Sequence, residues 1–320
     1  MSIWTNAVAF APRCGLNRQN MDANGWSVNA SLVAAVAAFL CGCTSLASGT
    51  DTAEPLVAPD PKWACLDNAP EALTLLDPVP KNIAFALPIS DYRILPPVPV
   101  PNLTVQACQI QDFGCTKSVG LVLSPMNSPV MLYGTTYQVP VYPIVMPYAI
   151  DAFIRITAPD YLQTEYYLGG PLLGGRTDLI MEGTHVVVAL PVTPILATDA
   201  DNLAQAVHII REHGDGIVAM RTLDCMDQPA AGVTLTLSVE GTPFTFLTGQ
   251  PSFAANLPTD ATGLAGFANI AVPAGKDAFT NVIVEGTAPN GKSYGKVNIT
   301  VRADQLTQGN IRPDISLFGL

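Results

Sequence analysis

From Trp63 onward the chain is a succession of short apolar or alternating runs, each closed within a few residues by Pro, Gly, Asn, Asp or Ser. Ile83–Leu87, Leu103–Ala107, Gly120–Leu123, Gln138–Tyr142, Ala152–Thr157 and His185–Leu190 come first, followed by Gly216–Leu223, Gly232–Val239, Gly266–Val272, Asn281–Gly286 and Lys296–Val301. Such punctuation leaves no room for long helices and predicts many short strands with turns between them. In Gly232–Val239, Val233, Leu235, Leu237 and Val239 alternate with Thr234, Thr236 and Ser238, the period of a strand with one wet face. The expected fold class is all-β, as two tandem β-sandwiches of the transthyretin-like or immunoglobulin-like kind. The 28 prolines and 25 glycines show no three-residue period, which excludes collagen. With 49% apolar and only 13% charged residues the chain is also unlike a disordered one. A formal charge of −11 excludes a basic nucleic-acid-binding surface of the usual kind.

One segment departs from the strand rhythm. Residues 199–214 carry an N-cap candidate in Asp199, place Leu203, Val207 and Ile210 on one face and end on Gly214, so a short linking helix is expected there. It divides the strand-rich chain into a first sandwich over 63–198 and a second over 215–320. The halves echo each other in AFIRITAP (152–159) and FTNVIVEGTAP (279–289), each closing on Thr-Ala-Pro.

Ahead of the strands, Ala30–Cys43 is apolar but shorter than the ~20 residues that span a bilayer. Its length suits the hydrophobic core of a signal peptide. The run ends in Leu40-Cys41-Gly42-Cys43, which resembles a bacterial lipobox with Cys41 in place of the usual Ala, Ser, Thr, Val or Ile. The resemblance implies a lipoprotein signal peptide over 1–42 and acylation of Cys43, with several chains giving stable anchoring. Arg13 and Arg18 are the only basic residues ahead of the run, and a start at Met21 leaves none. Residues 43–62 are rich in Ser, Thr, Pro and acids, the composition of a flexible tether. Thr44 is not the aspartate of inner-membrane retention, so the expectation is a lipid-anchored cell-envelope protein at the outer membrane. Removal of Arg13, Arg18 and Asp22 with the leader makes the mature chain one charge more acidic than −11.

Of seven cysteines, Cys14 and Cys41 leave with the leader and Cys43 carries lipid. The remaining Cys65, Cys108, Cys115 and Cys225 are an even number in a disulfide-permissive compartment. Cys108 and Cys115 flank six residues and readily close a loop, which leaves Cys65 for Cys225, one of three connectivities that four cysteines allow. Zinc is a poorer reading because there is no Cys-x-x-Cys pair.

Residues 216–313 resemble a carboxypeptidase regulatory-like domain through DCMDQPAAGVTLTLS (224–238), TDATGLAGFANIAV (259–272) and YGKVNITVRADQLTQGNIRP (294–313). In these motifs Pro229–Gly232 feeds a strand. Asp260 can accept from nearby amides, and Gly263 can supply positive φ in a hairpin turn. The whole layout, with Trp63-Ala-Cys65 after the tether, is similar to envelope lipoproteins of myxobacteria and related bacteria. That resemblance implies a non-catalytic module, with neither cofactor nor metal.

Residues able to do chemistry are sparse. His208, Glu212 and His213 in HIIREH lack the HExxH or HxxEH spacing of a zinc helix, and His185 has only Glu182 near it in sequence. Asp199 with Asp201, and Asp224 with Asp227, read as a cap and a turn and do not match an EF-hand. Gly169–Gly175 lacks the Gly-Lys-Ser/Thr of a phosphate loop, and no GxSxG elbow exists. Tyr161, Tyr166 and Tyr167 are the candidate ligand contacts, since clustered aromatics can stack on a sugar or anchor a protein, with cross-strand packing as the alternative. The functional expectation is a non-enzymatic binding, adhesion or scaffolding protein held to a membrane by its lipid. Its partner would be a glycan or an envelope protein and not a nucleic acid; a glycan-binding role through the tyrosines and a cryptic hydrolase are the alternatives.

Overall fold

The computed structural model describes residues 60–67, 78–91, 99–132, 135–168, 179–182, 185–188, 192–206, 209–226, 228–247, 250–252, 257–275 and 277–313. They belong to one compact unit, residues 57–320. Among the described residues, after a 3-10 turn at Ala64–Asp67, nine strands precede the helix: β1 Asn82–Pro88, β2 Thr104–Gln109, β3 Leu121–Val122, β4 Met126–Leu132, β5 Thr135–Pro147, β6 Ala152–Thr157, β7 Gln163–Tyr167, β8 Leu179–Glu182 and β9 His185–Val188. The helix α1 covers Ala197–Ala206. Eight strands follow: β10 Gly216–Thr222, β11 Thr234–Leu237, β12 Thr242–Leu247, β13 Gln250–Ser252, β14 Leu264–Ile270, β15 Thr280–Thr287, β16 Ser293–Val301 and β17 Gln305–Ile311. The protein is all-β, as its strand signals predict.

These strands form three sheets. One has the order β3-β5-β1-β9-β8 with β4 also on β5; the second is β13-β12-β14-β10-β17-β7-β6-β2; the third is β11-β15-β16. The eight-stranded sheet runs across the boundary expected at 199–214, because β17 lies parallel to β10 on one side and parallel to β7 on the other. Its register fixes two faces. Val105, Ala107, Ile154, Ile156 and Tyr166 share one face and pack with Ile83, Phe85, Leu87, Ile144 and Met146 of the first sheet. Phe153, Tyr167, Val218, Met220 and Phe267 share the other and pack with Val282, Val284, Tyr294, Val297 and Ile299 of the third. The described strands therefore make two face-to-face packings that share their middle sheet, in place of two separate sandwiches. Strand β7, buried at Thr164 through Tyr167, lies between both. Each large apolar side chain so buried contributes about 1.5–3 kcal/mol.

The helix differs from its predicted span. It begins at Ala197 and the described helix ends at Ala206, so Glu212, His213 and Gly214 are not helical, while Val207 and His208 lie outside the described residues. Tertiary partners take over the backbone there. The Asn269 side chain accepts from the Glu212 amide at 3.0 Å and donates to the Ile210 carbonyl at 2.8 Å. Arg211 turns back to Asp201 at 2.6 Å. Asp199 sits in the first turn and is not the N-cap. Ala200 of α1 packs on Leu162 and Leu306, on the same face of the middle sheet as the first sheet does.

Local turn chemistry follows the sequence closely. Asp260 accepts from the Thr262 amide at 2.7 Å, and Gly263 takes φ +66° with space for a Cβ closed by the Thr222 carbonyl at 2.5 Å. The Thr-Ala-Pro echo marks equivalent hairpin turns, in which the Ala158 carbonyl accepts from Tyr161 and the Ala288 carbonyl from Gly291.

A sheet shared between the halves makes them mutually dependent. A fragment ending at Ala206 is expected to lose cooperative unfolding and dispersed amide NMR signals, because β7 lacks its β17 neighbour. A natively dispersed spectrum from that fragment would contradict the shared-sheet account.

Candidate functional site

The most unusual chemistry lies where β17, β16 and β7 meet. Arg155 on β6 and Glu165 on β7 are direct cross-strand partners on the face that meets the third sheet. Arg155 donates through Nη2 and Nε to Glu165 Oε1 at 2.7 and 3.2 Å. Two further donors go to backbone carbonyls of the Cys108–Cys115 loop, Nη1 to Gly114 at 2.7 Å and Nη2 to Phe113 at 3.1 Å. From the C-terminal half, Arg302 brings Nε to 3.3 Å from the same Glu165 oxygen, an ion-pair distance without hydrogen-bond alignment. It donates through Nη1 to the Asp277 carbonyl at 3.2 Å. The Glu165 side chain is 1% exposed, Arg302 7% and Arg155 14%, so the anion is held away from water and the cations largely so.

Aromatic rings surround the three charges. The Arg155 guanidinium lies 5.7 Å from the Phe153 ring and that of Arg302 5.6 Å from Phe279. Phe279 in turn meets Phe113 at 4.5 Å, and Phe153 stacks on Tyr167 at 5.4 Å. The Tyr167 hydroxyl accepts from the Thr300 amide at 3.2 Å. Burial pushes the Glu165 carboxyl above its ordinary range, with Arg155 and then Arg302 pulling the other way. Burial, reinforced by Glu165, pushes the Tyr167 hydroxyl far above the usual tyrosine value. Both groups are buried, Glu165 and Tyr167 lying on the same inner face of β7. What the arrangement does is join the halves: one carboxylate of the first holds a guanidinium of each.

Two neighbouring features reinforce this seam. Gln308 on β17 accepts from the Thr193 amide at 3.3 Å and donates to the Thr193 carbonyl at 2.9 Å. Asn310 donates to the Tyr166 hydroxyl at 3.1 Å. The loop that caps Arg155 is closed by the Cys108–Cys115 disulfide, and Cys65 is bonded to Cys225, so both expected pairs are present. Within the loop, Asp112 accepts from the Lys117 amide at 2.9 Å and the Thr116 hydroxyl at 3.1 Å. The Lys117 and then Thr116 backbone amides hold the Asp112 carboxyl below its ordinary value.

The three candidate tyrosines are not a surface platform. Tyr166 and Tyr167 are buried on opposite faces of β7, their hydroxyls engaged by Asn310 and Thr300. Tyr161 is half-buried and its hydroxyl donates to the buried Asp91. Strand alternation sends neighbouring residues to opposite faces, but here both faces are interior, so alternation does not bring either ring to solvent. His213 is 73% exposed, its Nδ1 3.6 Å from Asp304. Asp224 accepts from the Met226 and Gln228 amides at 2.8 and 3.0 Å, the turn role expected of it. Cys43, His208, Asp227, the Gly169–Gly175 loop and the side chain of His185 lie outside the described residues. Among the described residues no group of three or more His, Cys, Asp or Glu is arranged to hold a metal ion, and no helix is long and apolar enough to cross a membrane.

The buried triad escaped the sequence reading. Its one signal is a charge inside an otherwise apolar strand, Arg155 in AFIRIT and Glu165 beside two tyrosines.

No family model matches the chain, and no curated protein matches it. Among solved structures, the Bacillus anthracis TIE protein is 12% identical, over 67% of this chain and 41% of that one, with a TM-score of 0.20. A Streptococcal ancillary pilin is 12% identical over 73% and 63%, with a TM-score of 0.18. BcpA, the major pilin subunit of Bacillus cereus, is 12% identical over 73% and 60%, with a TM-score of 0.19. The chain spans less than two thirds of the length of each, and TM-scores this low do not define a common fold.

Removing one member of the triad is predicted to cost far more than removing all three. Glu165→Ala leaves two guanidinium groups facing each other in the interior and should lose about 3–5 kcal/mol in chemical denaturation. Arg155→Met, Glu165→Leu and Arg302→Met made together should be nearly neutral. A single variant no less stable than the triple one would remove the case for a compensated buried cluster. In the loop, the Lys117 amide proton shift should titrate with Asp112, with a midpoint below the ordinary 3.8. The folded value being the lower one, the loop contact is complete above the unfolded value and is lost as pH falls through the folded one. A midpoint at or above 3.8 in an NMR titration would reverse that sign.

Proposed function

We propose that this protein is a non-catalytic scaffold or adhesion module of the bacterial envelope, anchored by lipid on Cys43 and carried on a tether over 43–62. The observation that carries the reading is the pairing of Cys65 with Cys225 and of Cys108 with Cys115, which uses every cysteine downstream of the lipobox. Disulfides persist in oxidising compartments and are rare in the cytosol. A leader that ends in Leu-Cys-Gly-Cys would deliver the chain to such a place. Thr44 after the acylated cysteine favours the outer membrane.

The described body supports a mechanical or recognition role in preference to turnover. Its Arg155–Glu165–Arg302 cluster is flanked by Phe113, Phe153, Phe279 and Tyr167 and by loop carbonyls. We read the C-terminal half as a carboxypeptidase regulatory-like module. The turn at Asp260–Gly263 and the Thr259 hydroxyl, which accepts from the Val233 amide at 3.1 Å, support that reading. Partners of this class of module are envelope glycans or proteins, met by side chains other than Tyr166 and Tyr167.

The anchor is tested by expressing the full chain with and without Cys43→Ser in a Gram-negative host supplied with labelled palmitate. Wild type should incorporate label and enter the detergent phase on phase separation, and Cys43→Ser should do neither. An unlabelled wild-type chain that stays in the aqueous phase would falsify the lipid anchor.

A further inference from the structure

The hairpin that joins β15 to β16 carries a reactive pair of neighbours, Asn290 and Gly291. Thr287 ends β15, Ser293 begins β16, and Ala288 to Lys292 turn the chain between them. The Gly291 amide donates to the Ala288 carbonyl at 2.9 Å, and the Ala288 amide donates to the Lys292 carbonyl at 2.9 Å. Closing the turn in this way uses a left-handed residue, which Gly291 supplies at φ +78°. The side-chain oxygen of Asn290 accepts from the Lys292 amide at 3.1 Å. Asn290, Gly291 and Lys292 are all exposed.

An asparagine Cγ and the backbone nitrogen of the next residue can close a five-membered ring, and the side chain of that next residue is what usually hinders them. Among the described residues Asn290 alone precedes glycine. Asn281, Asn298 and Asn310 precede Val282, Ile299 and Ile311, whose β-branched side chains crowd their own amides. Beyond its chain neighbours, nothing lies within 4 Å of a Cβ built on Gly291, so the turn leaves that side of the residue open. The Lys292 amide already points at the Asn290 oxygen, the atom on which negative charge grows when Cγ is attacked. A donor set in place for a developing oxyanion lowers the barrier to forming it. One contact opposes the attack, because the Ala288 carbonyl holds the Gly291 N–H. In an exposed turn, releasing it takes a local opening and not unfolding.

We propose that Asn290 is a self-modification site, which converts to aspartate and isoaspartate in the folded protein without an enzyme. Hydroxide takes the Gly291 amide proton and the nitrogen attacks Asn290 Cγ. The bond from Cγ to Nδ2 breaks, and Nδ2 leaves as ammonia with a proton from water. The product is a cyclic imide. Water then opens it: cleavage between Cγ and the Gly291 nitrogen gives aspartate, and cleavage between the Asn290 backbone carbonyl and that nitrogen gives isoaspartate. The sum is asparagine plus water to acid plus ammonia, with no change of oxidation state. Either product places a new carboxylate beside Lys292, which already pairs with Asp67. Isoaspartate also adds a carbon to the main chain inside the turn, where both of its hydrogen bonds span. It therefore loosens the end of the hairpin at the Thr287–Ser293 pair. The glycine that lets the turn close is the one that makes its neighbour labile.

The test uses the full chain, folded and oxidised at both disulfides, held at mildly alkaline pH and sampled over time. Its peptides are weighed after digestion, and isoaspartate is read by methyl transfer from an isoaspartate-specific methyltransferase. The peptide bearing residue 290 should change in mass from amide to acid, faster as hydroxide rises. Its rate should exceed those at Asn127, Asn281 and Asn298 by about tenfold or more, a difference of about 1.4 kcal/mol in barrier. Asn290→Gln would need a larger ring and should remove both the mass change and the methyl acceptor. A folded chain that keeps its amide at 290, while the same chain converts in denaturant, would overturn the proposal, because the turn would then protect the bond. So would conversion at 290 no faster than at the other three asparagines, or a methyl acceptor that persists in Asn290→Gln. Hydrogen exchange at the Ala288 amide should quicken once isoaspartate has formed, and unchanged exchange would refute the loosening of the turn.

Discussion

A single carboxylate shared by two guanidinium groups fixes the register in which the two halves meet. Glu165 belongs to the first half and Arg302 to the second, and both charges have left water almost completely. Removing ions from water costs several kcal/mol each, so such a cluster adds little net stability compared with apolar packing. Its value is in what it forbids. A register slip of β17 against β7 would carry Arg302 away from Glu165, and the cost of an unpaired buried charge would follow. Gln308 and Asn310 enforce the same register on the opposite face, through Thr193 and Tyr166. Polar groups fix the seam and apolar groups supply the driving force.

The seam explains why the body has three layers where two independent sandwiches were expected. Strand β17 has hydrogen-bonded neighbours on both edges, one from each half, so the sheet has no free edge at the boundary. Once joined, the middle strands must be apolar or paired on both faces. β7 meets that demand with Thr164, Glu165, Tyr166 and Tyr167, all buried. The Cys108–Cys115 loop then acts as a lid on the charged cluster, giving Arg155 two carbonyls and Phe279 an aromatic neighbour. The Cys65–Cys225 bond does the analogous work at the far end, fastening the entering chain over Tyr294.

The buried charges of Arg155, Glu165 and Arg302 join the two halves.

Strands such as β1, β6, β10 and β15, the turn at Asp260–Gly263 and both disulfides were legible from residue type and spacing, because each is decided by neighbours within a few positions or by cysteine pairing, whereas β4, β8, β12 and β13 were not among the runs read as strands. β6 occupies the span its alternation predicts. β17 was not legible as a strand, since QLTQGNI is polar and its Gln and Asn find partners only across the seam. The helix was misjudged at its C-terminal end for the same reason, because Asn269, far along the chain, claims the backbone at Ile210 and Glu212. Tyr166 and Tyr167 looked like surface aromatics because alternation assumes one wet face, and only the stacking of a third sheet removed it. The sequence by itself determined an all-β, disulfide-paired chain with its turns in place. Tertiary structure alone decided that its halves share one sheet and where the charges are buried, since those depend on desolvation and on contacts between residues distant along the chain.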